Sequence, residues 1–142
     1  MLNVHETLSK LDYFIDNEYL KNYCRLVETH RRTKVIPKLT NKHHIVPKSW
    51  FKLTKKEINN ELNNLVNLPY REHVLAHYYL CLCTTDPFMY ANQLALICLV
   101  SRKKLNSVDK YLIKTLPLYN NIYENYSIKN KNNYKIYTEW LS

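Results

Sequence analysis

Residues 40–80 read TNKHHIVPKSWFKLTKKEINNELNNLVNLPYREHVLAHYYL, and the change of pattern inside this stretch decides the fold class. Its start belongs to a segment, Thr33 to Pro47, in which β-branched Val35, Ile36, Ile45 and Val46 stand beside Pro37 and Pro47. No 3.6-residue period persists there, so short strand and loop are expected. Leu65, Val66 and Leu68 give a second brief strand, and Pro69 suits the first turn of a helix running to about Cys83. On that helix His73 and His77 are four residues apart and project from one face, the spacing at which two imidazoles reach one metal ion. An isolated pair of this kind is more often two ordinary helix histidines. The adjacent His43 and His44 shift the balance, because neighbours on an extended segment point to opposite sides. One can bind a metal while the other faces a substrate beside it.

Outward from this stretch the pattern is helical. Residues 6–16 and 17–30 carry apolar side chains at three-and-four spacing and predict a helical hairpin. Residues 51–63 are polar and Asn-rich, with Leu53, Ile58 and Leu62 as anchors, and predict a loop holding a short helical turn. The apolar segment 87–100 predicts a core helix too short to span a membrane. From Ser107 onward one or two amphipathic helices are expected, with Lys129 to Asn133 as the break. The expected fold is therefore a single α+β domain over 1–142, mostly helical: N-terminal helices over 1–33, a small two-stranded core with its helix over 34–83, and C-terminal helices over 84–142.

Composition narrows the chemistry. The chain has 142 residues and no glycine, where average usage predicts about ten. A P-loop, a Gly-x-Gly dinucleotide fingerprint and a glycine nucleophile elbow are all excluded, since each needs a residue without Cβ. The abundance of Asn, Lys and Tyr against three Ala reads as A/T-rich coding. Cys24, Cys81, Cys83 and Cys98 form no Cys-x-x-Cys pair, and Met1 to Lys10 lacks the basic start and apolar run of a secretion signal. A cytoplasmic protein with free thiols and no membrane association is the expectation.

The net charge of +9 is concentrated. Residues 31–56 carry +9 with no acidic residue, against −2 for 1–30, −3 for 57–100 and +5 for 101–142. Such a run suits a surface that follows a polyanion, although charge alone is equally consistent with a solvated face. His43 and His44 sit in the middle of it. A metal held there would lie where a phosphate backbone docks, which points to metal-assisted phosphodiester hydrolysis.

The stretch Thr40 to Leu80 resembles the HNH endonucleases of the His-Me finger, or ββα-metal, superfamily, especially small phage-type and homing-type members. The resemblance rests on His43-His44-Ile45-Val46-Pro47, on Asn64-Leu65-Val66-Asn67-Leu68, and on Arg71-Glu72-His73 followed by Ala76-His77, with nine residues from Asn64 to His73. It is also similar to the nuclease domains of DNase colicins. It implies a two-stranded ββα-metal finger in which His44 is the general base, Asn64 ties the strands and orients His44, and His43, His73 and His77 bind one divalent metal. Neutral imidazole ligands favour Zn²⁺, Ni²⁺, Co²⁺ or Mn²⁺ over Mg²⁺, which prefers oxygen. The implied partner is DNA, or RNA on the same finger, with Lys42, Lys48 and Arg71 as phosphate contacts. A phage or mobile-element origin fits a free-standing domain of this kind.

The sequence departs from the family pattern in two places. Thr40, Asn41 and Lys42 stand where many relatives have an acidic residue, and Ser49 to Asn63 replaces a loop that often contains Gly-Gly. Glu72 reads as an acidic residue favouring a helix N-terminus, Trp50 and Phe51 as core, and most C-terminal tyrosines as packing. A second class of function is a nucleic-acid-binding protein with a structural zinc, for which four protein ligands, often including cysteine, are expected.

Overall fold

The structure is a computed structural model describing residues 3–32, 39–102 and 104–141, with the backbone alone at Leu62 and 132–141. It is 64% helical with one small antiparallel sheet, an α+β arrangement. Strand β1 (Thr40–His44) pairs with β2 (Leu65–Pro69) in the register His43 opposite Val66 and Lys42 opposite Asn67. Alternation then sorts the side chains: Asn41 and His43 share the inner face with buried Val66 and Leu68, while Lys42 and His44 share the outer face with Asn67. Val35, Ile36 and Pro37 lie outside the described residues. Ile45 and Val46 are buried immediately beyond the strand.

Pro69 closes β2 in an extended conformation and caps helix α4 (Tyr70–Leu82) from outside, rather than occupying its first turn. Helix α4 serves two apolar clusters. Ala76 and Leu80 pack with Leu8, Leu20, Tyr23, Val27, Ile45 and Leu68, whereas Val74, Tyr78 and Cys81 pack with Leu96, Leu99, Ile113 and Tyr119. Helix α5 (Phe88–Val100) packs along it and is buried in both clusters, as a segment apolar on every side must be. Among the described residues no helix is long and apolar enough to cross a membrane.

Three expectations need correction. The first predicted helix is shorter: α1 spans Val4–Ser9, and residues 13–15 instead pair with the chain leaving α4, through Ile15 N to Cys83 O (2.8 Å) and Thr85 N to Tyr13 O (2.9 Å). Tertiary backbone bonds there override the local helical period, at the cost of a left-handed Tyr13 with φ 70°. Helix α2 (Glu18–Arg31) follows, capped by Asn17, whose side chain accepts from Leu20 N and donates to the Leu82 carbonyl. The segment after β1 is more ordered than a loop with one turn: α3 (Lys48–Thr54) starts directly after Pro47 and buries Trp50 and Phe51. Finally, after α6 (Ser107–Lys114), helix α7 (Tyr119–Leu141) continues through 129–133. Lys129 pairs with Asp86 at 2.6 Å and Asn130 accepts from Tyr90 Oη, so polar contacts to the α5 region hold the turn that composition marked as a break.

The segment Ser49 to Asn63 is anchored at its end by Asn64, in a 3₁₀ turn (Leu62–Asn64) before β2 and fully buried. Its carbonyl accepts from Ile45 N, its Oδ1 accepts from Val46 N (2.8 Å), and its Nδ2 donates to Val46 O and Asn59 O (2.9 Å). Asn67, the other asparagine of the Asn64-Leu65-Val66-Asn67-Leu68 stretch, is exposed. Truncating Asn64 leaves buried backbone groups unpaired, so Asn64→Ala is expected to lower unfolding free energy by about 2–4 kcal/mol in urea denaturation. A loss under about 0.5 kcal/mol would contradict this anchoring role.

Candidate metal centre

His43 from β1 and His73 and His77 from α4 meet at the junction of sheet and helix. Their ring centres are 5.2 Å apart in all three pairs. One nitrogen from each lies within 4.8 Å of the other two. A metal–nitrogen bond of about 2.05 Å, with about 1.15 Å more to the ring centre, puts tetrahedral imidazole ligands about 5.2 Å apart centre to centre. The ring centres thus have the spacing of three ligands around one ion, and the group could hold a metal ion once the nitrogens, within 4.8 Å of one another, draw in around it.

The donor atoms fit the same reading. His77 is buried, and its Nδ1 has no hydrogen-bond partner. Asn92 on α5, whose Nδ2 donates to Phe88 O, has only its Oδ1 left to act on the same ring. A buried lone pair without a donor is costly unless something electrophilic meets it. His73 Nδ1 accepts from Asn41 Nδ2 (3.1 Å), leaving Nε2 as its ligand atom. His43 Nε2 contacts Tyr23 Oη at 2.7 Å. A side chain from α2, at the far end of the chain, therefore reaches the centre.

Burial dominates the electrostatics. It depresses His43 well below the usual histidine range, with the neighbouring rings of His77, His73 and His44 adding to the effect. Burial, then the charges of Arg102 and Lys104, lower His73 to about 4. Burial and His73 lower His77 to about 3, against the opposing effect of the Asn92 amide oxygen, which favours a protonated ring. All three are neutral at pH 7, the state in which imidazole ligates a metal.

The cluster opens onto a pocket of about 140 Å³ lined by Lys42, His43, His44, Pro47, Lys48, His73 and His77. His44 is half-buried, and its Nε2 donates to Asn60 Oδ1 at 2.7 Å, which in the neutral ring puts the lone pair on Nδ1. Of the residues singled out in the sequence, His43, His44, His73, His77, Lys42 and Lys48 are brought together, and Asn64 holds the backbone just beyond His44. Arg71 is not: it lies outside the pocket lining and pairs with Glu72 at 3.2 Å. Glu72 is in the first turn of α4.

Sequence reasoning missed Tyr23, Asn60, Asn92, Arg102 and Lys104. Asn92 carried a faint signal, as a buried polar residue inside an apolar run, and Arg102 and Lys104 were visible only as charge. Lys104 Nζ sits 3.3 Å from Asn41 Oδ1 and 5.2 Å from the Tyr70 ring centre, at the margin of the cluster. Larger hollows, such as a 430 Å³ groove lined by Ile97, Tyr119 and Tyr123, contain no ligating cluster among the described residues.

Comparison of the chain with family models, curated proteins and solved structures gives no match.

The pH dependence follows from the depressed rings. Below the ordinary value of 6.5 the unfolded chain takes up protons that folded His73 and His77 refuse until about pH 4 and 3. Stability is therefore full above pH 6.5 and lost as pH falls through that window. Circular dichroism of the metal-free protein is expected to show this loss, and added Zn²⁺ should move the acid midpoint to lower pH. Stability unchanged down to pH 4 would contradict the burial of neutral rings.

Proposed function

We propose that the chain is a metal-dependent endonuclease of the HNH type, hydrolysing DNA phosphodiester bonds on a ββα-metal finger formed by β1, β2 and α4. The observation that carries this reading is the shared pocket: three neutral imidazoles converge on one point, with a fourth histidine and two lysines around the same opening. A closed structural zinc site normally has four protein ligands. Cys81 and Cys83 are free and buried, and neither belongs to the three-His group. A position left open toward a cationic pocket suits a phosphate better than a purely structural role.

His43, His73 and His77 would hold the ion, with Zn²⁺, Ni²⁺, Co²⁺ or Mn²⁺ preferred over Mg²⁺ by these nitrogen donors. When bound, it supplies charge stabilisation to the phosphate in the transition state and to the leaving oxygen. Lys42 and Lys48 hold the phosphodiester by its non-bridging oxygens. His44 Nδ1, which holds the lone pair of the neutral ring while Nε2–H donates to Asn60 Oδ1, accepts a proton from water as the water oxygen attacks phosphorus in line. The P–O3′ bond breaks, leaving a 3′-hydroxyl after protonation from solvent and a 5′-phosphate. Asn60 thereby supplies a neutral acceptor in place of the acidic residue that many family members carry before the His-His pair.

Supercoiled plasmid incubated with Mn²⁺, Ni²⁺ or Zn²⁺ is expected to be nicked or linearised faster than with Mg²⁺, and His44→Ala should slow cleavage about 10²–10⁴-fold without loss of metal binding. A wild type that binds metal but cuts neither DNA nor RNA, or a His44→Ala variant that cuts equally well, would rule the reading out. Cleavage of RNA alone would reassign the substrate to a ribonuclease.

A further inference from the structure

Tyr23 and His43 are both buried, at 0% and 3% exposure, and their rings meet edge to face with centres 5.9 Å apart. The Tyr23 hydroxyl makes two contacts of 2.7 Å, one to His43 Nε2 and one to the Ile45 carbonyl oxygen. A phenol has one proton, and a carbonyl oxygen can only accept. The proton therefore goes to Ile45 O, and the contact to His43 is made by the imidazole's own N–H. That assigns the tautomer: His43 carries its proton on Nε2, and Nδ1 holds the lone pair.

We infer that Tyr23 is a positioning residue that locks His43 as the Nε2–H tautomer, so that Nδ1 faces His73 and His77 as the ligand atom. The lock is built from distant parts of the chain. Tyr23 is on α2, His43 near the end of β1, and Ile45 at the residue whose N–H is held by Asn64 O, so the carbonyl that orients the phenol is itself fixed by the anchor of the loop. The same hydroxyl holds β1 against α2. Outer hydrogen bonds of this kind orient a metal-ligating histidine and raise its basicity. With phenylalanine at position 23, the Nε2 proton has no acceptor in a buried site. The ring then loses its preference for Nε2–H, and its lone pair is no longer directed at the cluster. The inference rests on the metal-binding half of the proposed function and is independent of hydrolysis.

The test joins two measurements. Long-range ¹H–¹⁵N correlation spectra of the metal-free wild type should show His43 protonated on Nε2, and those of Tyr23→Phe a shift toward Nδ1–H. Chelator competition should show Tyr23→Phe binding Zn²⁺ about 10–100-fold more weakly. A purely structural role for Tyr23 would lower the melting temperature without altering the tautomer. An Nδ1–H wild-type His43, or a folded Tyr23→Phe variant with unchanged tautomer and Zn²⁺ affinity within about twofold, would overturn the assignment. If Tyr23→Phe fails to fold, the wild-type spectrum decides alone. A wild type that takes up no Zn²⁺ but shows Nε2–H sinks the proposed function and the ligand role of Nδ1 with it, and leaves only the tautomer assignment standing.

Discussion

Helix α4 is constrained from two sides at once. Ala76 and Leu80 are fixed against the cluster built on α1, α2 and the sheet, and Val74, Tyr78 and Cys81 against the cluster built on α5, α6 and α7. The remaining stripe carries His73 and His77. Close packing on both flanks resists rotation of the helix, because turning it would open cavities on one side and overlap on the other. The two imidazoles thus inherit their positions from apolar contacts they do not make. His43 is brought to them from the opposite direction by the pairing of β1 with β2, a strand that runs directly into α4 at Pro69.

The centre combines a dry interior with a cationic rim. Burial keeps the three rings neutral, and among the described residues no carboxylate lines the pocket to compete for their role or to offset the lysines. Asparagine does the polar work instead. Asn41 meets His73, Asn60 meets His44, Asn92 meets His77, and Asn64 anchors the backbone beside them. Each amide orients its partner without adding charge, so the electrostatic character of the opening is set by Lys42 and Lys48, with Arg102 and Lys104 acting on His73 from the margin.

Much of this was legible in the sequence where the determining interactions are local. α4 follows from the proline at its start and α5 from an apolar run of helical length, the second strand from Leu65, Val66 and Leu68, and the His73–His77 pairing from the pitch of a helix. What escaped depends on contacts between distant segments. Nothing near Tyr23 announces that its hydroxyl meets a histidine 20 residues away. Asn60 is one of several asparagines in its loop, and only the folded path shows which of them meets His44. The early end of α1 is set by the chain leaving α4, and the continuity of α7 by Asp86 and Tyr90. Arg71, expected from its neighbourhood as a phosphate contact, pairs with Glu72 and lies outside the pocket lining.

The all-imidazole composition of the cluster has one more consequence on the proposed reading. Carboxylate ligands would cancel the charge of a dication where it sits. Three neutral rings leave that charge whole and add it to the two lysines at the same opening. An ion and an anionic strand that share this pocket then stabilise one another, and linkage makes the effect reciprocal: whatever factor the ion adds to affinity for the strand, the strand adds to affinity for the ion. In a cell with scarce free transition metal, such a protein would hold its ion most firmly once it is already on its substrate.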